Sequence, residues 1–448
     1  ASMRQDADDL VCENMPHLPV CLISGERLSE TVFCAGAAQE LFRQRLASWK
    51  CCPEEDAARA SVPALSAHEY CSGAARLAER AAEMRGILAP LPGYIAERPH
   101  FFENKQRLAQ ASKHFLSALE GRFFHRQHDP AFLRQRFLRD GYGALLEAQV
   151  AVDKIWRPET DPVDGWVDLA AVPRADGGEE TVVDNPFQRL YFAHSLGGAL
   201  VEYDYKPRKL NLLNCEARTA NSVPAFCGKL LTREAGGGFT QLGGEFSFSS
   251  VRLIRKSPDL LKVRFVEKLE AGASGARREW TGSLYKDFTV RAGLGAHQAN
   301  ATTGFSLEYW LESDVPAAAD MFVGVEWTMM LPSGDPRVMS ARPLLCVGGE
   351  SERVLALTQS WLLDSAFHPG GLYGVRLIDG LEGLVIDLRA SHRLDFIELA
   401  PLWSEGRSAV DSELEQSMCF GGTRVRFIAP LSAFAGDYRS NTIFVSIY

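Results

Sequence analysis

Two periodicities divide the chain near residue 157. Ahead of that point apolar residues recur every three or four positions, the spacing that lines one face of an α-helix. The run SVPALSAHEYCSGAARLAERAAEMRGIL opens on serine and proline, then becomes an alanine-rich helix that should end before Pro90 and Pro92. Phe101, Leu108, Ala111, Phe115, Ala118 and Leu119 mark a second helix. Phe132, Leu133, Phe137, Leu145, Leu146, Ala148, Val152 and Trp156 mark a third, which Asp129-Pro130 starts and Gly141 and Gly143 are expected to split. Together these helices form an expected helical domain over residues 73–156.

After the change the pattern alternates or is β-branched and aromatic. FTQLGGEFSFSSVRLIRKS, LLKVRFVEKLE, TGFSLEYWLES, MFVGVEWTMML, GLYGVRLIDGLEGLVIDLRA, TRVRFIAPL and TIFVSIY read as strands separated by glycine or proline turns. Residues 157–184 are rich in proline, glycine and acids and read as a linker with one short strand at most. Residues 185–448 then exceed the roughly 100 residues of an immunoglobulin-like sandwich, so one large double-sheet assembly is expected. The fold class is therefore α+β: a helical N-terminal domain followed by a large antiparallel double-sheet assembly. Residues 3–72 are harder to assign, with HLPVCLISG as a buried strand and AGAAQELFRQRLASW as a helix making one strand-helix unit.

One segment combines several signals. Residues 197–214, GGALVEYDYKPRKLNLLN, join a glycine turn, an alternating strand and a proline-basic exit. Alternation puts Leu200, Glu202 and Asp204 on one face, and Ala199, Val201, Tyr203 and Tyr205 on the other.

Composition narrows the function classes. A chain of 448 residues with 46% hydrophobic content can bury a large core. A formal net charge of -9 excludes a general nucleic-acid partner, which needs a basic surface. No apolar run reaches the roughly 18 residues that span a bilayer, and MRQDADDLVCENM has neither the basic region nor the apolar stretch of a secretory signal. No membrane partner and a cytoplasmic location are the expectations. Ala1-Ser2 ahead of Met3 has the form of a vector remnant. EAGGGFTQLGG lacks the lysine-serine context of a phosphate loop, and no Gly-x-Ser-x-Gly elbow is present.

Six of the ten cysteines (Cys12, Cys21, Cys34, Cys51, Cys52 and Cys71) fall in the first 71 residues. None forms the Cys-x-x-Cys pair that lets one tight turn aim two thiolates at a metal. Reduced, partly buried thiols are the expected state, with no cofactor, and Cys51-Cys52 is the weak candidate for metal or redox chemistry. His125, His128 and Asp129 could contribute to a metal site, but without further ligands they read as a polar helix end.

With these strands in place, three segments resemble the C-terminal β-sandwich of glycoside hydrolase family 57, the family of 4-α-glucanotransferases and related α-amylases. They are GGALVEYDYKPRKLNLLN, MFVGVEWTMMLPSG at residues 321–334, and WSEGRSAVDSELEQSMCFGGTRVRF at residues 403–427. The resemblance implies a supersandwich of the galactose-mutarotase type, and residues 73–156 look like the helical segment that precedes it in those enzymes. Members of the family carry their nucleophilic glutamate and acid/base aspartate on a separate N-terminal α/β barrel. No counterpart of that barrel is recognisable in residues 3–72, so no catalytic residue transfers.

The candidate binding residues follow from these segments. Glu202 and Asp204 share a face about 7 Å apart along the strand, either as a functional carboxylate pair or as part of an ion-pair cluster with Lys206 or Arg208. Glu326 alternates with Gly324 and Thr328, which suggests a solvent or partner face, while Trp327 points with Val325 toward the core. Trp403, Glu405, Arg407, Glu413, Glu415 and Gln416 have the composition of a sugar site, with an aromatic ring to stack and polar groups to hold hydroxyls; a domain-closing loop could use the same residues. The expected function is a non-catalytic accessory protein that binds carbohydrate, an α-glucan, or a protein partner. Two alternatives are an α-glucan transferase or hydrolase component whose barrel lies elsewhere, and a mutarotase-like sugar enzyme.

Overall fold

The computed structural model describes residues 23–24, 27–28, 72–97, 100–119, 131–157, 165–173, 178–213, 225–242, 250–257, 259–271, 280–292, 303–313, 320–331, 333–345, 353–368, 370–407, 416–433 and 441–448. The helices belong to one compact unit, and the sheets, Glu159–Ser404 with Cys419–Tyr448, to a second. A two-residue hairpin, β1 (Ile23–Ser24) with β2 (Arg27–Leu28), is the described part of the N-terminal segment. The expected helix there, with Cys51 and Cys52, lies outside the described residues, as do His125, His128 and Asp129.

Among the described residues the first unit holds four helices: α1 (Ser72–Leu88), α2 (Leu91–Ala96), α3 (Phe101–Ala118) and α4 (Ala131–Trp156). Leu77, Ala81, Met84 and Leu88 of α1 pack with Ala111, Phe115 and Ala118 of α3 and with Leu138, Tyr142, Leu145, Ala148 and Val152 of α4. The helical spacing of these residues turns one apolar stripe per helix inward. The alanine-rich helix α1 ends at Leu88, before Pro90 and Pro92 as expected; Pro90 then caps α2, and Pro92 sits in its first turn, where a missing N–H costs nothing. One expectation is corrected. Gly141 and Gly143 do not split α4, which runs unbroken for 26 residues. Each glycine costs about 1 kcal/mol relative to alanine, and the buried stripe of Leu138, Tyr142 and Leu145 outweighs that.

Among the described residues the second unit holds three antiparallel sheets. A five-stranded meander runs in chain order through β3 (Asp168–Pro173), β4 (Glu179–Asp184), β5 (Gln188–Ala193), β6 (Ala199–Tyr205) and β7 (Leu210–Asn211). Its first two strands correct the linker expectation. Residues 168–184 hold a full antiparallel pair, with Leu169 opposite Val183 and Val172 opposite Glu180. Thr181, Val182 and Val183 are buried there despite the acids around them.

The six-stranded sheet is ordered β16 (Trp361–Asp364), β19 (Phe396–Arg407), β20 (Gln416–Pro430), β14 (Met321–Met330), β8 (Cys227–Arg233) and β9 (Phe239–Gln241). The eight-stranded sheet is ordered β10 (Ser250–Ser257), β11 (Leu260–Ala271), β12 (Trp280–Arg291), β13 (Thr303–Glu312), β21 (Asn441–Ile447), β18 (Leu384–Leu394), β17 (Leu372–Asp379) and β15 (Met339–Leu345). Alternate residues of the central strands enter one shared core, as with Phe305, Leu307 and Tyr309 of β13 and Val323, Val325, Trp327 and Met329 of β14, while the edge strand β10 stays exposed. The observed class is the expected one: a small helical part and a large antiparallel sandwich. β14 is buried on both faces, because Phe322 turns away from the main core to meet Leu231, Phe396 and Ile428.

Candidate functional site

Glu202 and Asp204 share a face of β6, and both are fully buried. Asp204 lies opposite Arg189 on β5 and Asn211 on β7, and Glu202 lies opposite Tyr191. Around them Lys206 Nζ stands 2.7 Å from Asp184 and donates to the Asn185 carbonyl at 2.8 Å, while Arg189 is 3.2 Å from Asp184 and 5.4 Å from the Tyr191 ring centre. Leu200 does not join the acids. The pairing shifts register between Tyr191 and Phe192, so that Leu200 pairs with Phe192 and enters the main core with Tyr203. One extra residue in a strand reverses the faces beyond it.

The glycine turn before β6 meets a second polar centre. Gly197 and Gly198 both have left-handed φ, +68° and +69°. A Cβ on Gly197 would lie 2.5 Å from the Glu267 side chain, and one on Gly198 would lie 2.5 Å from Phe265. Only glycine lets the turn of the five-stranded sheet approach β11 so closely. Glu267 in turn pairs with Lys286 at 2.8 Å, accepts from the Gly228 N–H at 3.3 Å, and leaves Lys286 to donate to the Phe226 carbonyl at 3.2 Å. One ion pair thus ties strands β11 and β12 to β8 and lies against the turn that opens β6. Burial pushes the Glu267 carboxyl above its usual range, and the Lys286 charge opposes that shift. The adjacent Cys227 thiol is pushed well up by burial, with Glu267 adding to the shift. A buried, protonated thiol is chemically inert.

Neither Glu267 nor Lys286 was among the sequence candidates, although a signal was present. In LYKDFTV, Lys286 occupies the parity of Leu284, Phe288 and Val290, and in VRFVEKL, Glu267 occupies that of Phe265 and Leu269. A charge at a core-facing parity requires a buried partner.

The six-stranded sheet collects most of the remaining candidates. Trp327 and Val325 enter the core as expected, but Glu326 does not face solvent: it is 2% exposed and bound by the Arg426 guanidinium, whose Nε donates at 2.6 Å. Arg426 also donates to Glu398 at 2.9 Å, and Arg424 donates to the other Glu398 oxygen at 3.1 Å. The cluster therefore reads Glu326–Arg426–Glu398–Arg424 across strands β14, β20 and β19. Trp403 is on the opposite face, at the parity of Ile397 and Leu399, with its ring edge-on to Phe420 at 5.9 Å. Glu405 and Arg407 lie on β19 and Gln416 on β20, with side chains outside the described part, and Glu413 and Glu415 lie outside it altogether.

The geometry bears on chemistry. Retaining glycoside hydrolysis needs two carboxyl groups about 5–5.5 Å apart, one of them a proton donor, with the scissile bond between them. Glu326 and Glu398 instead have a guanidinium between them, which holds both as acceptors. Among the described residues no group of three or more His, Cys, Asp or Glu side chains is arranged to hold a metal ion, and no helix is long and apolar enough to cross a membrane.

No protein-family model and no curated protein matches the chain. Among solved structures it is similar to a 4-alpha-glucanotransferase from Thermococcus litoralis, with a TM-score of 0.51 and 10% identity over 84% of this chain and 49% of that one. The two share a fold, and this chain spans about half the length of that enzyme. A galactose mutarotase-like protein from Clostridium acetobutylicum and a galactose 1-epimerase from Lactobacillus acidophilus also match, at TM-scores of 0.35 and 0.37, with 8% and 9% identity; each match covers 63% of this chain and 99% of the other.

Proposed function

We propose that the chain is a non-catalytic accessory module of α-glucan metabolism, related to the C-terminal region of family 57 glycoside hydrolases, that binds glucan beside an enzyme carrying the reaction centre. The observation that supports this reading best is the state of the candidate carboxylates. Glu326 and Glu398 are held by Arg426, while Glu202 and Asp204 are fully buried on a face lined with Arg189 and Lys206. None is presented as a proton donor opposite a nucleophile. A fold shared with about half of a glucanotransferase fits a module that works beside a separate catalytic part.

The test is a thermal-shift and calorimetric titration of the pure chain with maltooligosaccharides, run together with an assay for reducing-sugar release. Binding without release is the expected result, since a ligand that binds the native state alone raises its apparent stability. Turnover by the pure chain would overturn the accessory reading, and absence of binding to any glucan would overturn the ligand assignment.

A further inference from the structure

Strand β10 (Ser250–Ser257) ends the eight-stranded sheet, and among the described residues its one neighbour is β11. Every residue of β10 except the last is exposed. Its backbone groups on the far side are open to pairing. Pairing with β11 sorts the side chains onto two faces. Val251 and Leu253 lie opposite Phe265 and Val263, which are fully buried, yet they remain 39% and 45% exposed. The apolar row of the inner face thus runs one strand beyond the core that covers it. On the other face Arg252 lies opposite Arg264, and Arg255 lies opposite Lys262, with Ile254 left out of the pairing between Leu253 and Arg255.

Like charges directly opposite one another destabilise a strand pair. The two cations of β11 are compensated: Arg264 donates to both Asp287 oxygens at 2.7 and 2.9 Å, and Lys262 stands 2.6 Å from Glu308 and 3.2 Å from Asp287. Among the described residues neither Arg252 nor Arg255 is in an ion pair, although Arg255 is within electrostatic reach of Asp259. A chain of net charge -9 therefore holds two uncompensated cations against two others at a free sheet edge. An anion on the free side relieves that repulsion. The open backbone and the apolar row identify the anion as a peptide strand, which adds to a sheet edge through main-chain bonds and sets alternate side chains on alternate faces. A second copy does not fit, because antiparallel self-pairing about the Leu253–Ile254 bond sets Arg252 opposite Arg255. β11 meets Arg252 and Arg255 with alternate residues, so a strand that follows the same course on the free side meets them with alternate carboxylates.

We infer that β10 is a docking strand for an extended acidic segment of a partner protein, with alternate carboxylates on Arg252 and Arg255 and apolar side chains beside Val251 and Leu253. This surface is independent of the glucan-binding reading. The probe is a fluorescent peptide of four Glu-Val repeats, titrated into the full chain by anisotropy, while hydrogen exchange of the β10 amides is followed. Four Lys-Val repeats, an oligothymidylate, and forms of the Glu-Val peptide N-methylated at the glutamates or at the valines serve as comparisons. The wild type should bind the Glu-Val peptide, protect β10 from exchange and ignore the Lys-Val peptide. Arg252→Gln/Arg255→Gln should lose about tenfold or more in affinity, and so should one of the two methylated forms, because only one set of amides faces β10. The melting temperature of that variant should not fall, since each arginine faces another cation. No binding of the Glu-Val peptide, equal binding of the Lys-Val peptide or full affinity in the variant would overturn the docking strand. Full affinity of both methylated forms, or equal binding of oligothymidylate, would identify a general polyanion surface and overturn it as well. A wild-type dimer in sedimentation that Leu253→Glu dissociates would assign the edge to a second copy instead.

Discussion

Lys286 Nζ lies 2.8 Å from Glu267 Oε2, with the two side chains 0% and 1% exposed. A buried pair of this kind need not favour folding over an apolar replacement, yet losing one partner strands a charge. Lys286→Met should cost about 3–5 kcal/mol in urea unfolding, and Glu267→Leu/Lys286→Met should recover most of that. The sign with pH follows from the carboxyl. Burial already pushes Glu267 up, and without the lysine the folded state prefers its protonated form more strongly. Stability of Lys286→Met should therefore rise as pH falls from neutrality through the folded-state pKa toward the unfolded value, a trend measurable as a rising urea midpoint.

The turn above this pair makes a second prediction. Gly198→Ala places a methyl group 2.5 Å from the Phe265 side chain at a φ of +69°. Left-handed backbone costs a non-glycine residue about 1–3 kcal/mol, and the clash adds to it. A fall in the urea midpoint of at least that size is expected. A neutral Gly198→Ala variant would show that the approach of β6 to β11 is not tight.

The class of the fold could be read from periodicity, because the change from helical spacing to alternation near residue 157 reflects which faces must be buried. Features that depend on pairing could not. Leu200 followed the alternation of Glu202 on paper, but the register shift opposite Tyr191 and Phe192 reverses its face, and a shift is set by the partner strand. Alternation separated Glu326 from Trp327 correctly without telling that the face of Glu326 is covered, since covering depends on contacts distant in the chain. The acids of residues 168–184 hid a strand pair for the same reason. Lys286 and Glu267 were legible in principle, as charges at core parity, whereas the family-like segment at residues 197–214 contains only Glu202 and Asp204 as its carboxylates.

Acid should weaken the fold through its histidines. Burial lowers the pKa of His392, and among the described residues neither of its ring nitrogens has a hydrogen-bond partner. His194, 2.7 Å from the Thr181 hydroxyl, and His368 are lowered by burial as well. A lowered folded-state pKa means that the unfolded chain binds more protons between that value and the ordinary 6.5. Stability is then flat above that range and falls as pH drops through it. Urea midpoints from pH 8 to 5 should show this decline, and His392→Gln should reduce its slope. An unchanged slope would mean that His392 does not contribute.

Arg426 is the group on which the six-stranded sheet's charges converge, and its loss should be the most damaging change in that cluster. It binds Glu326, which is 2% exposed, and Glu398, whose side chain is 23% exposed. Arg426→Met leaves Glu326 buried without its guanidinium, at an expected cost of about 3–5 kcal/mol. Glu398→Gln removes a partly solvated partner, leaves the Glu326 pair intact, and should cost about 1 kcal/mol or less. The double variant Glu326→Gln/Arg426→Met should recover part of the larger loss, because the stranded charge is gone. Urea unfolding of the three variants tests the order. Equal losses in Arg426→Met and Glu398→Gln would show that burial does not set the strength of these pairs.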